Sequence, residues 1–325
     1  MFSPAGFDTA LRGTLEEVRA GRWMSMRTLL RTTGRDWALR TSRSQVLGIV
    51  AAHSQVVQAW LDEVPGDPDG LLMRARVGVE RALRAHRERH PSAGELEEGA
   101  RRACLAAAEA LPADPVPWVC LLALAQADTG LRRPEHRQQA AEPMLPTGPW
   151  GLLYRVRQRD GYNREAHHRM LQFLNARAAD SDGSQAASID FIRWVVSWAP
   201  AGSPLLVLPL YAYAEQFRRH DSAHSADRWL RRRWADEPVM VDTRNALYGW
   251  FDRTDPTRES VLDLNYLAHA AWSAHWYKDA ARVFTALGPY YTRQPWTYVS
   301  DGPGDPEAAK TEFLRARAQS LAATG

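Results

Sequence analysis

Glu165 and His168 stand three residues apart, the Glu-x-x-His spacing with which helical bundles hold carboxylate-bridged metal pairs, and Asp221 with His224 is an imperfect second copy. His86 and His90 are four apart, so one helix face carries both imidazoles, as a metal-binding pair requires. The surrounding residues weigh against a metal. A helical wheel puts Ala166, Met170, Phe173 and Leu174 on the buried arc, with Glu165 and His168 opposite, where a metal would face water unless a neighbouring helix covers it. His86 and His90 flank Glu88 in RAHRERH, an arginine-dense run before Pro91 that reads as a solvated helix C-terminus. His167, at the edge of the apolar arc, reads as a hydrogen-bonded core histidine. No metal and no other cofactor is expected.

The string GPGDPEAAKT matches a phosphate-binding loop at Gly304, Lys310 and Thr311, except that Ala309 replaces the second glycine. Pro306 removes a backbone donor, and Asp305 and Glu307 add repulsive charge, so the string reads instead as an aspartate cap with proline at the first helical position. There is no G-x-S-x-G elbow to support nucleophilic catalysis. Cys104 and Cys120 lie inside apolar helical patterns without metal or redox spacing and read as core thiols in a reducing compartment.

Arginine and aromatic residues carry the binding signals. Arg228, Arg231 and Arg232 form a basic stripe in DRWLRRRWADE. Of the 41 lysines and arginines only Lys278 and Lys310 are lysines, and the net charge is only +3. The stripe therefore reads as a solvated or partner-docking face, and nucleic acid is not the expected partner. Eight of the thirteen tryptophans lie between Trp194 and Trp296, and eight of the ten tyrosines between Tyr211 and Tyr298. Such residues join apolar area to a polar tip and suit binding grooves. Trp250, Trp272, Trp276, Tyr277, Tyr290, Tyr291 and Trp296, with the three arginines, are the expected contacts for a protein or peptide partner. The alternative is an enzyme or small-molecule binder with a pocket in this half, for which Asp263, His269 and His275 are the titratable candidates.

The elements that must position these residues are helical. Asp67-Pro68, Asp114-Pro115, Asp255-Pro256 and Asp305-Pro306 each join an N-cap acceptor to a proline that needs no donor. These prolines are 47, 141 and 50 residues apart, and 141 is three times 47. A period near 47 residues puts further starts at Asn163 and at Ser203-Pro204. Apolar residues recur at steps of three and four through Leu72, Ala75, Val79, Ala82 and Leu83, and again through Ile189, Ile192, Val195 and Val196. The fold class is all-α, about fourteen to sixteen helices, with short extended pieces expected only at PVMVDT and QPWTYVS. Residues 1–145 read as N-terminal helical repeats and 146–325 as aromatic-rich C-terminal repeats continuous with them.

Ala103, Ala107, Ala110 and Pro115, followed by Trp118, Leu121, Leu122 and Ala125, resemble the second helix of one tetratricopeptide repeat running into the first helix of the next. Leu264, Leu267, Ala268 and Ala271, then Tyr277, Ala280 and Phe284, are a second such match. The segment from His167 to Leu205 is similar to bacterial helical-repeat proteins of unknown function. The spacing near 47 departs from the family's roughly 34. The resemblance implies helix pairs stacked as an α-solenoid whose concave, aromatic-rich surface binds a peptide or protein without catalysis. With neither a basic leader and apolar h-region at the N-terminus nor a membrane-length apolar run, the chain reads as cytoplasmic and without a membrane partner.

Overall fold

Three of the four Asp-Pro steps open α-helices and the fourth opens a 3-10 turn, by the expected chemistry. Asp67 accepts the amides of Asp69 and Gly70, Asp114 that of Val116, Asp255 that of Thr257 and Asp305 that of Glu307, at 2.8–3.3 Å. Asn163 and Ser203 do the same at the two interpolated positions, accepting from Ala166 and Leu205. The computed structural model describes residues 3–180, 186–223, 233–300 and 305–324. In chain order its α-helices are α1 (Thr9–Arg19), α2 (Met24–Thr33), α3 (Trp37–Ala51), α4 (Val56–Glu63), α5 (Pro68–Arg87), α6 (Ala93–Ala110), α7 (Val116–Leu124) and α8 (Trp150–Arg157). There follow α9 (Arg164–Asp180), α10 (Ala186–Trp198), α11 (Leu208–Ala223), α12 (Glu237–Arg244), α13 (Val261–Ser273), α14 (Tyr277–Leu287) and α15 (Pro306–Ala322).

The fold is all-α: fifteen α-helices and no strand among the described residues, which hold one isolated antiparallel bridge, Gln138 to Gly148. PVMVDT lies in α12, and QPWTYVS contains a 3-10 turn at Trp296–Tyr298. Among the described residues, each interval between successive starts holds two of these α-helices: α5 and α6, α7 and α8, α9 and α10, α11 and α12, α13 and α14. No helix of the described residues is long and apolar enough to cross a membrane.

The chain divides into two compact units, residues 8–190 and residues 191–325 with 1–7. In the unit 8–190, α5 lies against α3, α4, α6 and α7, burying Leu72, Met73, Ala75, Val79, Ala82 and Leu83. Gly78 lets α6 approach: a Cβ there would sit 3.2 Å from the Ala100 Cα. The α7 sequence VPWVCLLAL is apolar on every side because α5, α6, α8 and α9 surround it. Cys104 and Cys120 are both free and buried.

The polar face of α9 is covered by neighbouring helices: Glu165 is 3% exposed and His168 9%. The cover comes from α3 and from Arg76 of α5, whose Nη1 and Nη2 donate to the Glu165 carboxylate at 2.8 Å each. Arg40 is similarly interior, joining Asp114, Asp69 and the Leu30 carbonyl.

In the unit 191–325, α13 is the interior helix, with every side chain from Asp263 to Ser273 buried. The α14, α11 and α15 helices pack on it, and α12 runs into a π-helical segment at Asn245–Trp250. Gly249 in that segment accepts the Gly202 amide at 2.7 Å and faces the Leu206 side chain, where a Cβ would lie only 3.0 Å away.

Candidate functional site

The aromatic residues expected at a binding surface divide by exposure. Trp250 and Trp296 are fully buried and Trp272 is 3% exposed, so these three rings belong to the core rather than to a partner. Buried indole needs an acceptor, and Asn265 of α13 supplies one to Trp296 at 2.8 Å, as Gln319 of α15 does to Trp272 at 3.0 Å. Trp276, Tyr277, Tyr290 and Tyr291 are half-buried. The Arg244 guanidinium lies 5.3 Å from the Trp276 ring centre, and the Tyr277 hydroxyl sits 2.7 Å from a His275 ring nitrogen. Tyr290 meets Phe7 edge-on and Tyr291 tilts against Phe313. Arg228, Arg231 and Arg232 lie outside the described residues.

The titratable candidates of the same unit occupy different surroundings. Asp263 is buried and accepts the Tyr211 hydroxyl, while Tyr211 stacks on Tyr266 with ring centres 3.7 Å apart. Burial and the neighbouring Tyr298 and Tyr211 push the Tyr266 phenol well above its ordinary range. His269 is enclosed by Trp234, Trp296 and Trp272, at 5.1, 5.3 and 6.2 Å between ring centres. His275 is exposed, with φ of 63°.

The metal-like spacings are absorbed locally. His86 Nε2 lies 2.9 Å from the Glu97 carboxylate, and His90 Nδ1 accepts the Ser92 amide. His167 is buried with Nδ1 2.8 Å from the Asn163 carbonyl, and burial lowers its pKa to about 4. The Asp221 side chain and His224 lie outside the described residues, among which no group of three or more His, Cys, Asp or Glu is placed to hold a metal. Of the phosphate-loop string, Gly304 is also outside the described residues, Lys310 pairs with Glu307, and Thr311 donates to the Glu307 carbonyl.

Two surface recesses in the unit 8–190 combine apolar floors with arginine rims. The first, about 560 Å³, runs between α4, α5 and α6. Gly78, Gly99 and Ala103 keep its floor low, Val57, Val77 and Leu96 line it, and Arg74, Arg81 and Arg102 stand along it. A Cβ on Gly99 would meet nothing within 4 Å, so the helix surface there is open. Arg81 donates to the Ala52 and Ser54 carbonyls, and burial followed by the charge of Arg84 lowers its pKa. Arg74 is exposed.

The second recess, about 620 Å³, lies between α6, α7, α8 and the loop that carries Glu135 and Gln138. Leu105, Leu121 and Leu152 are its apolar part, with Trp118 beside them. Arg155 and Arg159 of α8 and its C-terminal turn both lie on Trp118, their guanidinium carbons 4.6 and 5.3 Å from the ring centre. Gly151 leaves room for the Gln138 side chain, whose Oε1 would sit 2.1 Å from a Cβ. Sequence reasoning missed this site. Its signal is the pair of like charges four residues apart in YRVRQR, a destabilising arrangement on a helix that lacks other compensation. No protein family matches the chain, and neither a curated protein nor a solved structure matches it.

Proposed function

We propose that this is a non-catalytic helical-repeat protein, its tetratricopeptide-like helix pairs stacked as a solenoid, and that it binds an amphipathic helical segment of a protein partner in the α4–α5–α6 groove. The observation that carries the reading is the groove itself. Glycine and alanine on its floor let another backbone approach closely, while Val57, Val77 and Leu96 offer apolar sockets. From Glu95 to Ala106 it follows α6 for about 16 Å, some three turns of an incoming helix. Three arginines against Glu95 make the rim net positive, so the segment that fits is flanked by aspartate or glutamate.

Half-buried Trp276 and Tyr248, which is 48% exposed, both belong to the 191–325 unit and favour a second reading in which the partner docks there. Affinity capture from the native lysate separates the two. We expect one stoichiometric protein to be retained by the wild type, lost on Gly99→Leu and kept on Trp276→Ala with Tyr277→Ala. Loss on the aromatic pair alone supports the second reading. Equal retention by all three proteins, or no retention by the wild type, overturns both. The Cβ of Gly99→Leu meets nothing within 4 Å and its side chain projects into the groove, and an unchanged or raised melting temperature verifies that its fold is intact.

A further inference from the structure

The second recess does not suit a helix: its contents point to a small molecule. Arg155 and Arg159 are stacked on one indole and repel each other. Burial and then the charge of Arg155 lower the pKa of Arg159, with Asp114 opposing. That carboxylate is already engaged by Arg40 and the Val116 amide. Arg159 is held in place by two neutral acceptors, the Pro112 and Arg155 carbonyls, each at 2.7 Å. Arg155 is exposed, and no carboxylate among the described residues forms an ion pair with it. Glu135, the acid on the rim, is paired with Arg101 at 2.9 Å. The recess therefore holds positive charge without local compensation.

Its remaining parts are complementary to a compact organic body. Three leucines supply apolar contact, the Gln138 and Gln158 amides and the Tyr154 hydroxyl stand at the edge, and the Trp118 indole N–H is buried with no acceptor. A volume of about 620 Å³ lies within the range of roughly 300–1,000 Å³ usual for small-molecule sites.

We propose that the α6–α7–α8 cleft binds a small organic oxyanion, a carboxylate or phosphate carried on an apolar body, with Arg155 holding the oxygens in the positive field it shares with Arg159 on Trp118, and Leu105, Leu121 and Leu152 taking the body. An oxyanion at the Arg155 guanidinium offsets its repulsion with Arg159 and gains charge-assisted hydrogen bonds. This site is independent of the α4–α5–α6 groove, and each can fail without the other.

The test uses the full chain with four probes that share one body: hexanoate, hexyl phosphate, hexanol and hexylamine. Binding is followed through the indole N–H resonances, with Trp118 assigned by Trp118→Phe. We expect a saturable shift of the Trp118 resonance with hexanoate, hexyl phosphate or both at millimolar concentrations, and none with hexanol or hexylamine. The stronger of the two anions identifies the head group. Arg155→Gln is expected to weaken binding by about tenfold or more, which corresponds to one lost charged contact, and Gly151→Leu, which must displace the Gln138 side chain at the cleft, to abolish it. Absence of a shift with both anions, an equal shift with hexanol, or unchanged affinity in Arg155→Gln overturns the proposal.

Discussion

Arg76 and Glu165 are charges without water. Arg76 is 3% exposed, and burial, which opposes its charge, is outweighed by Glu165, so its pKa is raised while that of Glu165 is lowered. Ser44, the Thr41 carbonyl and Arg169 complete the hydrogen bonding around the pair. Removing one partner of such a pair leaves a buried charge exposed to low dielectric. We expect Glu165→Gln to lower unfolding stability by about 3–5 kcal/mol, and Arg76→Met combined with Glu165→Leu to recover most of the loss. Urea denaturation of the three proteins checks this, and a single variant as stable as the wild type refutes it. A second residue-scale strain sits at helix ends. Arg89 has φ of 52° where α5 terminates in a paired turn, with the His90 amide donating to the Ala85 carbonyl at 2.8 Å. The left-handed conformation costs a non-glycine residue about 1–2 kcal/mol, so Arg89→Gly is expected to raise stability by up to ~1 kcal/mol once its greater unfolded-state freedom is included.

Glycines inside helices sort by what surrounds their element. Gly99 faces open space on α6, so Gly99→Ala is expected to stabilise the protein by about 1 kcal/mol through helix propensity alone. Gly48 on α3 faces the Arg76 Cβ at 2.9 Å from an added Cβ. Gly48→Ala must move the residue that holds Glu165, and we expect a loss of about 1–3 kcal/mol by thermal melting. If the two alanine variants shift the melting temperature in the same direction, the account of helix packing fails. The same dependence on neighbours decides what could be read in advance. Helix starts were legible because a cap is a local event: Asp67, Asp114, Asn163, Ser203, Asp255 and Asp305 each bond an amide two or three residues on. The environment of Glu165 was not, because a wheel marks the apolar face of α9 and says nothing of a second neighbour covering the polar one. Trp296 and Trp272 were ambiguous for a related reason: composition located the aromatic mass, but only the placement of Asn265 and Gln319 sends those indoles inward. The Trp118 cleft escaped notice because it is assembled from α6, α7 and α8, which no local pattern relates.

At the scale of the whole chain, a net charge of +3 makes global repulsion a small influence near neutrality, so acid sensitivity must come from particular buried groups. His167 and His168 are the foremost. Burial holds the first near a pKa of about 4 and the second well below its usual value, with Arg157 adding to the effect at His167 and Arg164, His167 and Arg169 at His168. In the unfolded chain both recover ordinary values near 6.5 and bind protons that the folded chain refuses. A depressed histidine pKa therefore contributes stability that is present above about 6.5 and lost as pH falls toward the folded value. Each contributes up to about 1.4 kcal/mol per pH unit within that window, so the two together should remove roughly 2–3 kcal/mol between about pH 7 and pH 5.5. Asp128 acts in a lower and separate window. Its burial is outweighed by the Arg133 and Arg132 amides and by His136, which bring it to about 2, so its contribution disappears only as pH falls from about 3.8 toward that value. Chemical denaturation of the wild type across this range, beside a His167→Gln, His168→Gln double variant, distinguishes the two sources. The double variant should be less stable at neutral pH and nearly flat between pH 7 and 5.5, yet retain the acid loss below 3.8. A wild-type curve already flat between pH 7 and 5.5 would mean that these imidazoles are hydrated in the folded chain, and with that the tight packing of α9 against α3 and α7 could not stand.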